Sequence, residues 1–173
     1  MRDLTKPASG SLNEGVSLPP FQIFLDRHRE VVYRFLVFAV GPDEAHDCAQ
    51  ETFLAALRAY PRLTEGSSLR AWVLTIAHRK AIDTHRARRR RPVPTAVVDH
   101  ASVDPPALPE PGLWEAVAKL PSKQRSSVVL RFVADLPFAQ VGEIVGCSEG
   151  AARQNVRQAL ARLREEYPDE GAR

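Results

Sequence analysis

From Phe21 the inward positions recur at Phe24, Leu25, His28, Val32, Phe35 and Ala39. This spacing of three and four predicts a helix with one face against a core. Gly41-Pro42 ends it and opens a second helix, with Pro42 at its start and Asp43 and Glu44 in the first turn, where the helix dipole favours carboxylates. That second helix splits into two arcs. Ala45, Ala49, Thr52, Phe53, Ala56 and Tyr60 share one, and Asp43, Asp47, Gln50, Glu51, Leu54 and Arg58 share the other. After a break from Pro61 to Ser68, a third helix turns Leu69, Trp72, Val73, Ile76 and Ala77 to a core. Past Ala77 the apolar stripe runs out and Arg79, Lys80, His85, Arg86 and Arg88 to Arg91 follow. A helix that outruns its own core needs another partner at that end.

The pattern stops in residues 92–111, which hold six of the fourteen prolines and no aromatic residue. That composition reads as an extended linker. Helical periodicity resumes over Leu113 to Leu120, breaks at Pro121, continues from Gln124 to Ala134, and breaks again at Leu136-Pro137. A short helix, Phe138 to Val145, then meets a Gly146-Cys147-Ser148 turn and a longer helix from Glu149 to about Glu166. Short helix, glycine-containing turn, longer helix is the helix-turn-helix pattern, with Ser148 as N-cap of the second helix. The fold class is therefore all-α: two small helical domains joined by a Pro-rich linker, the second a helix-turn-helix domain. The expected boundaries are a tail at 1–17, a first domain at 18–91, the linker at 92–111, a second domain at 112–167 and a tail at 168–173.

The 173 residues carry a net charge of only +3, but the charge is unevenly placed. Residues 69–91 hold eight bases and one acid, Asp83, whereas residues 92–111 hold three acids and no base. A compact basic block on one helix suits a phosphate backbone. Asp83 lies within reach of Arg79 and Arg86 on the same helix face. No apolar run approaches the ~20 residues that span a bilayer, and residues 1–17 lack the apolar core of a signal peptide. Cys48 and Cys147 make no disulfide framework, which points to a reducing, cytoplasmic setting and structural roles for both.

In the last helix Ala152, Val156, Ala159, Leu160 and Leu163 share the packing arc, while Arg153, Gln154, Arg157 and Gln158 share the other. Arg and Gln carry the paired donors and acceptors that match guanine and adenine edges in a major groove. A solvated face is the plain alternative; the preceding short helix and glycine turn favour DNA readout. The exposed arc of the second helix sets Leu54 and Leu57 beside Asp47 and Glu51, as a face for a basic partner helix would. Asp43, Asp47 and Glu51 could in principle hold a divalent cation of a nuclease, but such sites converge from several elements and none of the others is present. No zinc spacing and no catalytic constellation is found. His78 and His85 are expected to touch phosphate or water. The reading is a non-enzyme without metal or cofactor.

The stretches DEAHDCAQETFLAALRAY (43–60), SLRAWVLTIAHRKAIDTHRARRRR (68–91) and LPSKQRSSVVLRFVADLPFAQVGEIVGCSEGAARQNVRQALARLRE (120–165) closely resemble bacterial sigma factors of the extracytoplasmic-function (ECF) group, in the sigma-70 family. The resemblance covers about residues 18–91 and 112–166, in the family's order. It departs from the family pattern at Gly142, where Ala is usual, at Ala151-Ala152, where Thr-Val is usual, and at Asn155, where a base is common.

The resemblance implies an alternative sigma factor that binds core RNA polymerase and directs initiation at minus-ten and minus-thirty-five elements. It implies that Asp47, Gln50, Glu51 and Leu54 dock on the clamp helices of the largest polymerase subunit, and that the second domain meets the flap of the second-largest subunit. Arg70, Arg79, Lys80 and Arg86 are then candidates for the melted minus-ten strand. Arg153, Gln154, Arg157, Gln158 and Ser148 are candidates for the minus-thirty-five duplex, with Arg125 and Arg131 on its backbone. The linker would thread toward the polymerase cleft. An anti-sigma factor is an implied partner, and membrane insertion is not. The rival reading is a free-standing helix-turn-helix regulator.

Overall fold

The computed structural model describes residues 18–63, 68–90 and 111–166. The expected tails, the linker up to residue 110 and residues 64–67 lie outside the described residues. Seven α-helices follow in order: α1 (Phe21–Val40), α2 (Pro42–Ala59), α3 (Leu69–Arg90), α4 (Pro111–Lys119), α5 (Ser122–Phe132), α6 (Phe138–Val145) and α7 (Glu149–Glu166). A short 3-10 turn, Tyr60–Arg62, closes α2.

The first domain is a three-helix bundle of α1, α2 and α3. Phe24, Val32, Phe35 and Leu36 of α1 meet Ala45, Thr52 and Ala56 of α2 and Val73, Leu74 and Ala77 of α3, all almost fully buried. Small residues on α2 let the larger α1 side chains approach closely. At the open end of the bundle Phe21, Phe24, Tyr60 and Trp72 form an aromatic cluster, with the Phe24 ring 5.1 Å from Tyr60 and 5.7 Å from Trp72. The Tyr60 hydroxyl donates to Pro19 O at 2.7 Å and ties the chain entering α1 to the end of α2. The core stripe of α3 includes Leu74 and extends to Ala81, one turn beyond the expected Ala77.

The second domain packs α5 and α6 on α7, with α4 alongside. Val128, Val129 and Leu130 face Val141, Ile144, Ala152 and Ala159. Asp135, in a left-handed conformation (φ 50°), turns the chain out of α5, and Leu136 N returns to Leu130 O at 3.1 Å. The helix-turn-helix has the expected bounds: α6 ends at left-handed Gly146, and Ser148 Oγ accepts Ala151 N–H at 3.2 Å as the cap of α7. Gly142 lies against this turn so closely that a Cβ there would meet Cys147 O at 2.7 Å.

The domains touch. The last residues of α1, Leu36 to Val40, are buried on every side, because α4 and α5 cover the flank that α2 and α3 leave open. Helix α3 likewise meets α6. Both cores merge into one apolar cluster. Single-face periodicity in α1 therefore describes its first half and fails in its second.

Two outcomes test this packing. Gly142→Ala is expected to cost about 1–3 kcal/mol, since the new methyl meets backbone and not a movable side chain; an unchanged thermal midpoint would show the turn yields freely. The second concerns His28, which is buried against the Phe24 ring with an unpartnered Nδ1. Burial first, then Arg70 and Arg27, lowers its pKa from the ordinary 6.5. The unfolded chain then takes up the proton first as pH falls. His28 thus favours the fold fully above about pH 6.5, and that contribution is lost as pH drops through the folded-state value. The thermal midpoint should fall from neutral to mildly acidic pH, and His28→Gln should flatten part of that fall.

Candidate nucleic-acid and polymerase interfaces

Helix α2 carries the acidic face. Asp47, Gln50 and Glu51 are exposed, and beside them Leu54 and Leu57 are 53% and 48% exposed. Two exposed leucines within two turns of an otherwise well-packed helix form an apolar strip flanked by carboxylates. Gln50 bonds His46 at 2.9 Å, and Glu51 accepts from Lys80 of α3 at 3.1 Å. Lys80, expected on a DNA strand, and Glu51, expected on the polymerase, therefore face one another across α2 and α3. As an exposed pair it contributes little stability.

Helix α3 exposes Arg79, Arg86 and Arg88 to Arg90, with Arg86 3.8 Å from Asp83. Arg70 is half-buried at the other end, near Arg27 and Arg34 of α1, so it is separated from Arg79 and Arg86 along the helix. The two histidines do not face solvent as expected. His85 bonds Ala39 O at 2.8 Å, and His78 is half-buried beside the Phe35 ring at 6.3 Å, where burial lowers its pKa. Both line the junction between the domains, together with Lys123, Arg125 and Val145.

Helix α7 segregates cleanly. Ala152, Val156 and Ala159 are buried, whereas Arg153, Gln154, Arg157 and Gln158 are exposed. Arg153 pairs with Glu149 and lies over the Phe138 ring at 4.6 Å. Gln158 accepts from buried Gln124 at 2.8 Å, which fixes its amide. Gln154 and Arg157 have no hydrogen-bond or ion-pair partner among the described residues. Gln124 escaped the sequence reading; a polar side chain on the apolar arc of α5 was the available signal.

The two arginines of α5 are held inside the domain. Arg125 donates to Ala118 O at 2.9 Å and is half-buried at the domain junction, where burial and then Arg88 lower its pKa. Arg131 donates to Leu136 O at 3.2 Å, reaches Asp135 at 3.4 Å and stacks over Phe138 at 5.3 Å. Cys48 is buried with Sγ 2.9 Å from Thr84 Oγ1, and burial raises its pKa, so the thiolate that would react is disfavoured. No cluster of metal-ligating side chains occurs among the described residues, and no helix among them is long and apolar enough to cross a membrane.

One two-domain, all-α chain thus carries an acidic, partly apolar helix face, a basic helix end and a helix-turn-helix with an Arg/Gln face. Residues 24–91 match Sigma-70 region 2 and residues 116–165 match Sigma-70 region 4. The chain is 33% identical over 156 residues to the ECF RNA polymerase sigma factor SigC of Mycobacterium tuberculosis, covering 86% of this chain and 84% of SigC. It is 35% identical over 159 residues to SigD of the same species, covering 82% and 74%. With the ECF sigma factor BldN of Streptomyces coelicolor it shares 31% identity over 156 residues, 84% of this chain and 59% of BldN. The fold matches the sigma factor RpoE in complex with the anti-sigma factor NepR from Bartonella quintana, with a TM-score of 0.74 and 23% identity over 87% of this chain and 98% of that one. It also matches CnrH in complex with the cytosolic domain of CnrY, with a TM-score of 0.62 and 20% identity over 84% and 85%.

The chain belongs to the ECF sigma factors of RNA polymerase. It is an alternative sigma factor that directs promoter-specific transcription. Sigma factors are regulators that bind core polymerase and promoter DNA, and the free-standing regulator is not favoured.

The engaged and unengaged arginines should separate experimentally. Arg131→Ala is expected to lower the thermal midpoint, because it takes the side-chain donor from the Leu136 carbonyl and one of the two guanidinium groups from the Phe138 ring. Arg157→Ala is expected to leave the midpoint unchanged. Equal midpoints for both variants would remove the structural role from Arg131.

Proposed function

We propose that the three exposed faces divide the work of initiation. The α2 face of Asp47, Gln50, Glu51 and Leu54 docks on the clamp helices of the largest polymerase subunit. Arg70, Arg79, Lys80 and Arg86 on α3 hold the melted minus-ten strand by charge neutralisation. On α7, Gln154 and Arg157 read minus-thirty-five base edges, with Arg153 and Gln158 beside them. Ser148, Arg125 and Arg131 are candidate backbone contacts, and the second domain meets the flap of the second-largest subunit. The domains are taken as residues 18–91 and 112–167 with the linker at 92–111. The chain performs no chemistry itself, works in the cytoplasm, and has an anti-sigma factor as regulator; the complexes of RpoE with NepR and of CnrH with CnrY support that partner.

The observation that carries this reading is the segregation of α7. One arc is locked into the core by Ala152, Val156 and Ala159, and the other offers an arginine and a glutamine with no internal partner. The free side chains lie in the first half of α7, the part a recognition helix presents to bases.

Arg157→Ala should cost about 1–3 kcal/mol in promoter binding by holoenzyme and relax base preference upstream. An unchanged profile across a promoter library would take Arg157 out of base readout. For the docking face, Asp47→Lys combined with Leu54→Ser leaves the Glu51–Lys80 pair in place. The double variant should keep its helicity and lose co-elution with core polymerase; normal holoenzyme formation would remove this face from docking.

A further inference from the structure

Gln124 lies in the first turn of α5, where α5 packs on α7, and is only 8% exposed. Its Nε2–H donates to Gln158 Oε1 of α7 at 2.8 Å. Gln158 is exposed, on the same arc as Gln154 one helical turn earlier. A buried amide on one helix thus holds an exposed amide on the other. Gln124 is too deep to touch DNA, so any part it plays in recognition passes through Gln158.

The surroundings fix the direction of this bond. Gln124 Oε1 is buried with no partner among the described residues. Ser127 Oγ, one turn further along α5, is buried and unpartnered as well, so it does not supply the missing donor. As the amide stands, one buried carbonyl oxygen goes without a hydrogen bond. Turned over, Gln124 would accept from Gln158 and leave an NH2 group, with two donors, in that unpaired place. Buried N–H groups without acceptors are rarer than carbonyl oxygens without donors, and leaving one unpaired costs its desolvation. Gln124 therefore stays the donor, Gln158 Oε1 stays bound to the protein, and the Gln158 NH2 group is left for an outside partner.

A free glutamine can meet a base in either sense, because a half turn of its amide exchanges the oxygen and the NH2 group. Gln154, with no internal partner, keeps that freedom, and Gln158 does not. In the major groove guanine offers N7 and O6 as acceptors, adenine N7 and thymine O4, whereas cytosine offers only its N4 donor. An NH2 group fixed outward therefore suits guanine, adenine or thymine and sets donor against donor at cytosine. Fixing the amide before binding also removes the cost of ordering a free side chain in the complex.

We infer that Gln124 is a positioning residue for promoter recognition: by fixing the polarity of the Gln158 amide it makes one upstream base position discriminate against cytosine. The inference rests on the reading of α7 as the helix that faces the minus-thirty-five duplex. Without the Gln124 donor the Gln158 amide can turn over, its oxygen accepts from cytosine N4, and the discrimination is lost. Positions met by Gln154 and Arg157 do not depend on Gln124.

The test is the base preference of holoenzyme, full chain with core RNA polymerase, across a promoter library. Four chains are compared: wild type, Gln124→Met, Gln158→Ala and the double variant. Gln158→Ala identifies the base pair, as the upstream position whose preference flattens. There Gln124→Met should raise the use of cytosine severalfold and leave the other upstream positions as in wild type. Added to Gln158→Ala it should change nothing, because no amide remains to be fixed. Methionine has about the shape of glutamine without the amide, and the freed Gln158 oxygen takes water, so the thermal midpoint should stay near that of wild type. A merely structural role would lower the midpoint and shift the whole profile in both backgrounds alike. Cytosine use unmoved by Gln124→Met, or moved equally in both backgrounds, overturns the positioning role. If Gln158→Ala flattens no position, Gln158 meets no base and the inference falls; Arg157→Ala in the same library then shows whether the reading of α7 falls with it.

Discussion

The second half of α1 is the constraint on which the rest depends. Leu36 to Val40 are covered on one flank by α2 and α3 and on the other by α4 and α5, so a single helix end serves two cores. Fully burying a side chain the size of Leu, Val or Phe stabilises by about 1.5–3 kcal/mol. For five consecutive positions that exceeds anything the exposed ion pairs contribute. This sharing merges the two domains into one apolar cluster and leaves His78, His85 and Arg125 half-buried along the cleft beside it. It also puts the α1 carbonyls of Val37 and Ala39 within reach of Trp114 and His85.

That constraint explains what could and could not be read along the chain. The helices of both domains were legible because their punctuation is local: Gly41-Pro42, Pro61, Pro121, Leu136-Pro137 and Gly146 each sit at an end. The turn from Gly146 to Ser148 was legible for the same reason. The burial of Leu36, Val37 and Phe38 was not. Periodicity reports one interface per helix, and here the second is supplied by residues more than seventy positions away. The basic character of α3 was likewise plain, but Ala81 continues the core stripe and the two histidines face protein, so part of the partner that α3 needs is the second domain.

The candidate site was legible as chemistry and less so as geometry. Choosing arginines for DNA contact identified a set that the fold divides. Arg131 and Arg125 bond backbone carbonyls, Arg153 is ordered by Glu149 and Phe138, and Arg157 is left open to solvent. An arginine already bonded inside the protein can still touch a phosphate with its remaining donors, since the guanidinium carries five N–H groups. Unengaged side chains such as Gln154 and Arg157 keep all of theirs for base edges. The Lys80–Glu51 pair shows the same economy on the other domain, where one contact links the basic helix to the acidic face.

The most direct measurement of the central claim is run-off transcription with purified chain, bacterial core RNA polymerase and a library of promoter fragments. Specific starts that appear only when the chain is added, and that share two sequence elements separated by a constant spacing, are the predicted result. Absence of chain-dependent starts, together with no co-elution of the chain with core polymerase, would contradict the account.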